Sequence, residues 1–345
     1  MNTPKNILFV VHRYAPFPGG SEYYTQQMAE EALARGHTVT VLTGEHRAVQ
    51  GKHNGVWVVD NPTETLNRQW DLIVVHGGDV HMQNIVHQHS FNIRSPILYM
   101  IIKPSNSDIC MHGMRFSDFL GYSTVADLNH IANAGYLDKA RRVRHGIKMG
   151  DAISAPEAYM NRDFVKEDVP YFVSAGGFYP HKAMTELADA WNFSPIDAKL
   201  VLYGYGMPEN APQQTDQVRV ITDAEFDEVQ WAIHKSNGYI LNSYEEGFGL
   251  VLLEAMYHSV PWFARKTPGA LKLQKHGFVY DSEPELMEFI EYVYQDDDRD
   301  WWNCVGMDNY FNEYEGYRYV VQNHSIGCTV DDIEDVLIEL DKRKW

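Results

Sequence analysis

The fold is decided by the stretch Ile7-Leu-Phe-Val-Val11, then Pro16, Pro18, Gly19 and Gly20, then Tyr24, Met28 and Ala32, then Gly36, and finally Thr38-Val-Thr-Val-Leu-Thr43. Residues 7–11 are an apolar run bounded by turn residues, which reads as a buried strand. The prolines and glycines that follow punctuate the chain, and apolar residues at i, i+4 spacing then predict one face of a helix. Gly36 stops that helix as a C-terminal cap, and residues 38–43 alternate β-branched residues into a second strand. Two strands joined through a helix lie parallel, because the crossover returns the chain to the same edge of the sheet.

Further strands are predicted at residues 71–75, 97–102 and 119–123. Residues 103–116 have no period and read as a functional loop. The rhythm restarts with a strand at 171–175, Gly176 and Gly177, a helical stretch at 182–191, and strands at 199–203 and 218–221. Thr222 and Glu225 stand in capping-box spacing before a helix running to about His234, followed by a strand at 239–242. Residues 146–169, polar and carrying Pro156, read as a hinge. The chain is therefore expected to be α/β, with two doubly wound, Rossmann-like lobes facing a cleft, a size that suits 345 residues. The last helix, 331–342, is acidic on one side and has no evident partner near it in sequence.

Composition narrows the function. With 44% hydrophobic and 22% charged residues the chain is globular, and its formal charge of -18 argues against a broad grip on nucleic acid or anionic lipid. One basic cluster, Lys139, Arg141, Arg142, Arg144, His145 and Lys148, stands out; a solvated positive edge is preferred over a phosphate contact. The polar start lacks the pattern of a signal peptide, and no apolar run reaches membrane-spanning length, so no transmembrane anchor is expected. Cys110, Cys304 and Cys328 are widely spaced and odd in number, which points to a reducing, cytoplasmic setting. No metal site is expected: His76, His81, His87 and His89 match no ligand spacing, and Asp296-Asp-Asp298 reads as a solvated turn.

Chemistry in such sheets gathers at the loops after the strands. The segment Ser243-Tyr-Glu-Glu-Gly-Phe-Gly-Leu-Val-Leu-Leu-Glu254 lies between a strand and a helix. Gly247 and Gly249 let the backbone approach a ligand, and the amides opening the next helix suit an anion. Glu254, on the helix stripe of Leu250, has two oxygens able to accept from paired ribose hydroxyls, while Glu246 precedes the helix and is placed for a sugar. Taken singly, either acid reads as an ordinary surface glutamate.

Together, Glu246-Gly-Phe-Gly-Leu250, Glu254-Ala-Met256 and Pro261 resemble the paired-glutamate signature of retaining GT-B glycosyltransferases, especially family 4. Pro18-Gly-Gly-Ser-Glu22, Arg35-Gly-His-Thr-Val-Thr-Val-Leu-Thr43, Gly176-Gly-Phe-Tyr-Pro-His-Lys182 and Val201-Leu-Tyr-Gly-Tyr-Gly206 resemble that family's other loops in the same order. The resemblance implies a glycosyltransferase moving a sugar from a nucleoside-diphosphate sugar, UDP- or GDP-linked, to an acceptor hydroxyl, with retention and without a metal. The acceptor would be a glycan, a lipid-linked compound or a small molecule, with modified DNA less favoured.

The resemblance further implies an acceptor-side lobe of residues 1–150 plus about 325–345 and a nucleotide-sugar lobe of residues 165–320. It gives catalytic roles to Lys182, against the leaving phosphate, and Glu246, against the transferred sugar. Donor-binding positions are Gly19, Gly20, Gly177, Gly204, Tyr205, Gly247, Phe248, Gly249, Leu250 and Glu254. Acceptor contacts are expected from His12, Arg13, Tyr14 and Glu22, with Lys103 where the family often has a histidine and His112 as its substitute. The family's usual arginine before the lysine is replaced by Gly177, Tyr257-His258-Ser259 replaces small residues after the second glutamate, and only Gly269 remains of a glycine-rich segment after Pro261. Those departures motivate two alternatives: a degenerate, non-catalytic nucleotide- or partner-binding protein, and, from the basic cluster, transfer onto hydroxymethylated DNA bases. A dinucleotide oxidoreductase is disfavoured because no glycine fingerprint is complete.

Overall fold

The computed structural model describes residues 3–17, 19–44, 51–77, 80–102, 107–150, 155–167, 169–206, 210–294 and 313–343. The chain divides into two compact units, 1–148 with 323–345, and 149–322.

In chain order the first unit contains β1 (Asn6–Val11), α1 (Gly20–Ala34), β2 (Thr38–Thr43), β3 (Gly51–His53), β4 (Val56–Val59), α2 (Pro62–Leu66), β5 (Leu72–His76), α3 (Val80–His89), β6 (Ile97–Met100), α4 (Asp108–Phe116), β7 (Phe119–Tyr122), α5 (Val125–Asn133) and β8 (Ala140–Arg142). Its sheet runs β3-β4-β2-β1-β5-β6-β7-β8 among the described residues, and only the β3–β4 pair is antiparallel. The strand direction of growth reverses between β1 and β5. Both central strands are buried along nearly their whole length, as expected of parallel strands covered on two faces.

The second unit contains α6 (Glu157–Met160), α7 (Asp163–Lys166), β9 (Tyr171–Gly177), α8 (Met184–Asn192), β10 (Lys199–Tyr205), β11 (Val218–Ile221), α9 (Phe226–Lys235), β12 (Gly238–Leu241), α10 (Leu250–Tyr257), β13 (Trp262–Arg265), α11 (Pro268–Leu273), β14 (Phe278–Tyr280), α12 (Glu283–Tyr294) and nearly all of α13 (Glu313–Asn323). All pairs in its sheet, β11-β10-β9-β12-β13-β14, are parallel, and the order reverses between β9 and β12. Phe172, Trp191, Leu200, Ile240, Phe263 and Ile290 centre its core.

Three expectations are corrected. Residues 107–116 are not an open loop. Ser107 caps α4 by accepting from the Cys110 amide, Cys110 and Met114 bury one side, and Gly113 lets the helix rest on the Tyr99 ring. The Thr222–Glu225 capping box does not form: Glu225 itself is the N-cap of α9, without a side-chain bond. The described part of the expected hinge contains α6 and α7, because Tyr159 and Phe164 are buried there and the Tyr159 hydroxyl meets that of Tyr171 at 2.8 Å.

Four members of the basic cluster are engaged within the fold, while Arg142 and Lys148 lie exposed as a solvated edge would. The final helix, α14 (Ile326–Arg343), packs on α1 and presents its acids to it. Arg141 forms paired bonds with Glu339 at 2.6 and 2.7 Å, and Arg144 meets Asp332 at 2.6 Å. Lys139 donates to three carbonyls, of Met114, Arg115 and Ser117. His145 is buried against the Tyr24 hydroxyl at 2.8 Å. Elsewhere on the same helix, Arg35 holds Asp331 and Glu334, and Lys5 holds Asp341. The hydrogen bonds from Arg141 keep the Glu339 carboxyl at about 2. Arg141 and Arg144 of the cluster and the acids Glu339 and Asp332 of the last helix are thus each other's partners.

Candidate active site

A reversal of strand order opens a crevice at the carboxyl edge of a parallel sheet, because the two flanking loops leave in opposite directions. In the second unit those loops follow β9 and β12, and each carries one of the expected catalytic residues. After β9 the chain makes a 3-10 turn, Pro180–Lys182, and then passes through Ala183 in the left-handed region (φ 50) before α8. After β12 it runs through Asn242, Ser243 and Tyr244 to Glu246. Lys182 Nζ donates to Glu246 Oε1 at 2.6 Å, and Ser243 Oγ donates to the same oxygen at 2.7 Å. Both charged side chains are largely sheltered, at 22% and 12% exposure. An ammonium has three donors, so one bond to Glu246 aims the group and leaves others for a ligand.

The two loops are tied together beneath this pair. Asn242 Nδ2 donates to the Ala183 carbonyl at 2.8 Å, and the Tyr244 amide donates to the His181 carbonyl at 2.9 Å. Asn242 is in turn held by Tyr280, whose hydroxyl donates to its Oδ1 at 2.8 Å, and by Arg265, which reaches both its oxygens. Arg265 pairs with Glu283 and lies over the Tyr244 ring at 4.5 Å. A buried cation so fully engaged is a brace for the loops.

Gly249 (φ 79) ends the β12 loop in the left-handed region and is the N-cap of α10. No side chain caps that helix, and although the Leu252 amide donates to the Gly249 carbonyl at 2.9 Å, the amides of Leu250 and Val251 open the helix where an anionic group is favoured. Phe248 is buried under Lys272, whose Nζ is 5.0 Å from the ring centre. Gly247 and Leu250 are half-buried on either side of it. One turn into α10, Glu254 accepts from Gln230 Nε2 of α9 at 2.7 Å. Burial raises its carboxyl to about 7, against a smaller lowering by Gln230. Tyr239, wholly buried in β12, feels the charge of both Glu254 and Glu246.

At two of the expected donor positions an aromatic ring fills the space beside the glycine. A side chain at Gly177 would begin 2.3 Å from the Tyr179 ring, and one at Gly204 would begin 2.1 Å from the Phe178 ring. Their missing side chains make room for those two aromatics. Gly204 and Tyr205 also still belong to β10, paired with Gly176 and Gly177, and Tyr205 meets Tyr179 edge to face. Tyr179 thus occupies the space that an arginine at 177 would need. Gly177→Arg is expected to lower stability by about 1–2 kcal/mol through overpacking. Thermal unfolding alone and in a Tyr179→Ala background checks this; an equal loss in both would refute the steric account.

In the first unit the reversal lies between β1 and β5. His12 and Arg13 leave β1, Arg13 meets Glu22 of α1 at 2.9 Å, and burial raises the Glu22 carboxyl despite that partner. Gly19 (φ 154) is the N-cap of α1, and Gly20 opens the helix with free space around it. Tyr14 is fully buried, with burial pushing its phenol up and His53 at its edge, so it is core and presents no ring to an acceptor. His112 lies midway along α4, against His87 and stacked on Phe116, in the helix layer and away from the strand ends. Its burial and the neighbouring His87 lower its pKa. Lys103, Asp296–Asp298 and Cys304 lie outside the described residues. No group of three or more metal-ligating side chains occurs among those described. None of the described helices is long and apolar enough to cross a membrane.

Sequence reasoning gave no role to Ser243, Asn242, Gln230, Arg265 or Tyr179. Ser243 and Asn242 share the β12 loop with Glu246, whereas Gln230 reaches the site from α9, Arg265 from β13 and Tyr179 from the loop after β9, at no fixed spacing from the paired glutamates.

Residues 157–300 match the family described as glycosyl transferases group 1. A comparison of the sequence with curated proteins finds no match. Among solved structures, HepE of Anabaena in complex with UDP-glucose is 17% identical, with a TM-score of 0.74, covering 97% of this chain and 100% of its own. Sucrose-phosphate synthase from Thermosynechococcus elongatus is 15% identical, with a TM-score of 0.73, covering 98% and 99%. The catalytic domain of starch synthase IV from Arabidopsis thaliana, bound to ADP and acarbose, is 12% identical, with a TM-score of 0.71, covering 98% and 99%.

Proposed function

We propose, from the premise that this chain has the GT-B fold and carries a group 1 glycosyl transferase match over residues 157–300, that it transfers a sugar from a nucleoside-diphosphate sugar to an acceptor hydroxyl. The observation that carries this reading is the Lys182–Glu246 pair at the strand reversal of the second unit, with Glu254 one helical turn into α10. In the reaction the bond from the sugar's anomeric carbon to the diphosphate breaks and a bond to the acceptor oxygen forms. The acceptor's proton leaves with the departing diphosphate or passes to a base.

The diphosphate gains negative charge as it leaves, so a fixed ammonium and the uncapped amides of α10 stabilise the transition state more than the ground state. These groups supply that charge compensation without a metal. Glu254 accepts from the ribose hydroxyls, and Glu246 contacts the transferred sugar with retention of configuration. Arg13, Glu22 and His12 form the acceptor side, and the cytoplasm is the proposed setting. HepE and starch synthase IV are described with UDP-glucose and with ADP respectively, so the donor base is to be found by experiment, with UDP- and GDP-sugars first. Two arginines of the basic cluster that motivated a DNA acceptor, Arg141 and Arg144, are engaged by α14. The intact Lys182–Glu246 pair favours turnover over a non-catalytic role.

Thermal unfolding with UDP, GDP, ADP and their glucose conjugates tests the reading. A cognate nucleotide at about 100 times its Kd adds about 2.7 kcal/mol. That shift is expected for one base in the wild type and is expected to vanish in Glu254→Ala. No shift with any nucleotide would refute the function.

A further inference from the structure

Glu254 does not stand alone. Gln230 projects from α9 between Glu254 of α10 and His258, the residue that ends that helix, four positions further along the chain. Gln230 Nε2 lies 2.7 Å from Glu254 Oε2, and Gln230 Oε1 lies 3.0 Å from His258 Nε2. The chemistry of the ends sets the direction of both bonds. In its ionised form Glu254 only accepts, so with that form the amide turns its NH2 towards Glu254 and its oxygen towards His258. His258 must then carry its proton on Nε2. Burial, with His234 nearby at 5.4 Å between ring centres, lowers the His258 pKa to about 4, so the ring is neutral near pH 7. Donation therefore runs one way, from imidazole to amide to carboxylate.

We propose that Gln230, oriented by His258, is a positioning residue that holds Glu254 ionised and in place to receive the ribose hydroxyls of the donor nucleotide. The inference rests on the function proposed above and adds to it two residues from outside the paired-glutamate segment. Glu254 needs such help because burial alone drives its carboxyl towards the neutral form, which would offer one acceptor oxygen fewer. Gln230 is the one group that acts against this burial on Glu254. The groups around the carboxylate are Gln230 from α9, His258 from the end of its own helix, with His234 behind it, and Tyr239 from β12, on which Glu246 also acts.

The sign of the pH effect follows. The Glu254 carboxyl is raised from 4.5 to about 7 in the free protein. This group's contribution to the stability of the free fold is present at low pH and lost as pH rises through 7. Nucleotide binding, which needs the ionised form, changes the opposite way and weakens as pH falls through the same range.

The test uses Gln230→Met, which keeps the shape and removes the donor, and His258→Phe, which removes the orienting N–H. The Glu254 carboxyl is titrated by carbon-13 NMR in the free, glutamate-labelled protein, and UDP, GDP and ADP affinities are measured by calorimetry between pH 5.5 and 8.5. In Gln230→Met the carboxyl midpoint is expected to rise by about one pH unit, the worth of one hydrogen bond to a charged group. Affinity at pH 7 should fall about fivefold, as the ionised fraction drops from about one half to about one eleventh, and recover towards the wild-type value at the alkaline end. His258→Phe should shift both in the same direction by less, and it carries the test if Gln230→Met fails to fold. A merely structural role would weaken binding by the same factor at every pH. An unmoved carboxyl midpoint would overturn the positioning role itself. A midpoint that moves while none of UDP, GDP and ADP binds the wild type would overturn the ribose assignment, and with it the proposed function.

Discussion

Lys182→Ala is expected to lower turnover by about two to three orders of magnitude, the usual cost of removing one group aimed at developing charge. The side chain lies at the surface of the crevice, and its bond is to Glu246, so its loss opens no core cavity and the fold should persist. Two effects combine in the variant. The leaving diphosphate loses its fixed cation, and Glu246 keeps the Ser243 hydroxyl but loses the ammonium that holds it. Because charge on the diphosphate grows along the reaction, kcat should fall by more than KM rises. Lys182→Arg should recover only part of the rate, since a planar guanidinium does not reproduce a point charge on a flexible stem. Steady-state kinetics with the cognate donor decides the matter. A kcat within a factor of two of wild type would remove Lys182 from the chemistry.

Gly269→Ala should be the most damaging single methyl group in the second unit. A Cβ at this position would lie 1.8 Å from the carbonyl oxygen of Phe248 and 2.5 Å from its carbonyl carbon. Those are backbone atoms, and they cannot rotate away as the end of a side chain can. The helix carrying Gly269, α11, is itself fixed, with Thr267 capping it at the Ala270 amide and Ala270 and Leu273 buried. Either α11 lifts or Phe248 and Gly249 are pushed out of the turn that opens α10. A loss of about 3 kcal/mol is expected from this overpacking, roughly 6–12 °C in the unfolding temperature of a unit of this size. Nucleotide affinity should fall with it, because the displaced turn carries the amides assigned to the diphosphate. Thermal unfolding and calorimetry on the same preparation check both effects. An unfolding temperature within 1 °C of wild type would show that α11 yields freely.

This glycine also shows what its sequence context conceals. As a single residue left from a glycine-rich stretch it reads as a remnant, whereas the structure uses it for the closest backbone approach at the site. At Gly177 and Gly204 the structure supplies a neighbour that the sequence does not name. Both stand where glycines commonly admit a ligand, yet each is covered by the aromatic ring of a residue close by in the chain or on the neighbouring strand. Bareness is visible in sequence; what fills the space is not.

The α/β class and the parallel character of the sheets followed from local periodicity. Strand and helix are set by which residues repeat at intervals of 2 or 3.6, and a helix between two strands leaves them little choice but to run parallel. The paired glutamates were legible for the same reason, since their seven-residue separation lies on one strand-loop-helix unit. Helix α4 escaped notice because its buried side is only Cys110 and Met114, with a glycine between them.

What the tertiary structure alone decided is everything that joins residues far apart in the chain. It brought Lys182 to Glu246 across a strand reversal, placed Gln230 on Glu254, and set the acids of α14 against Arg141 and Arg144. Hydrogen bonds and ion pairs depend on distances of a few ångströms and on desolvation, and both are properties of packed neighbours. A sequence of residues records which groups are present and with what local rhythm; only the packing of helices on sheets determines which of them meet.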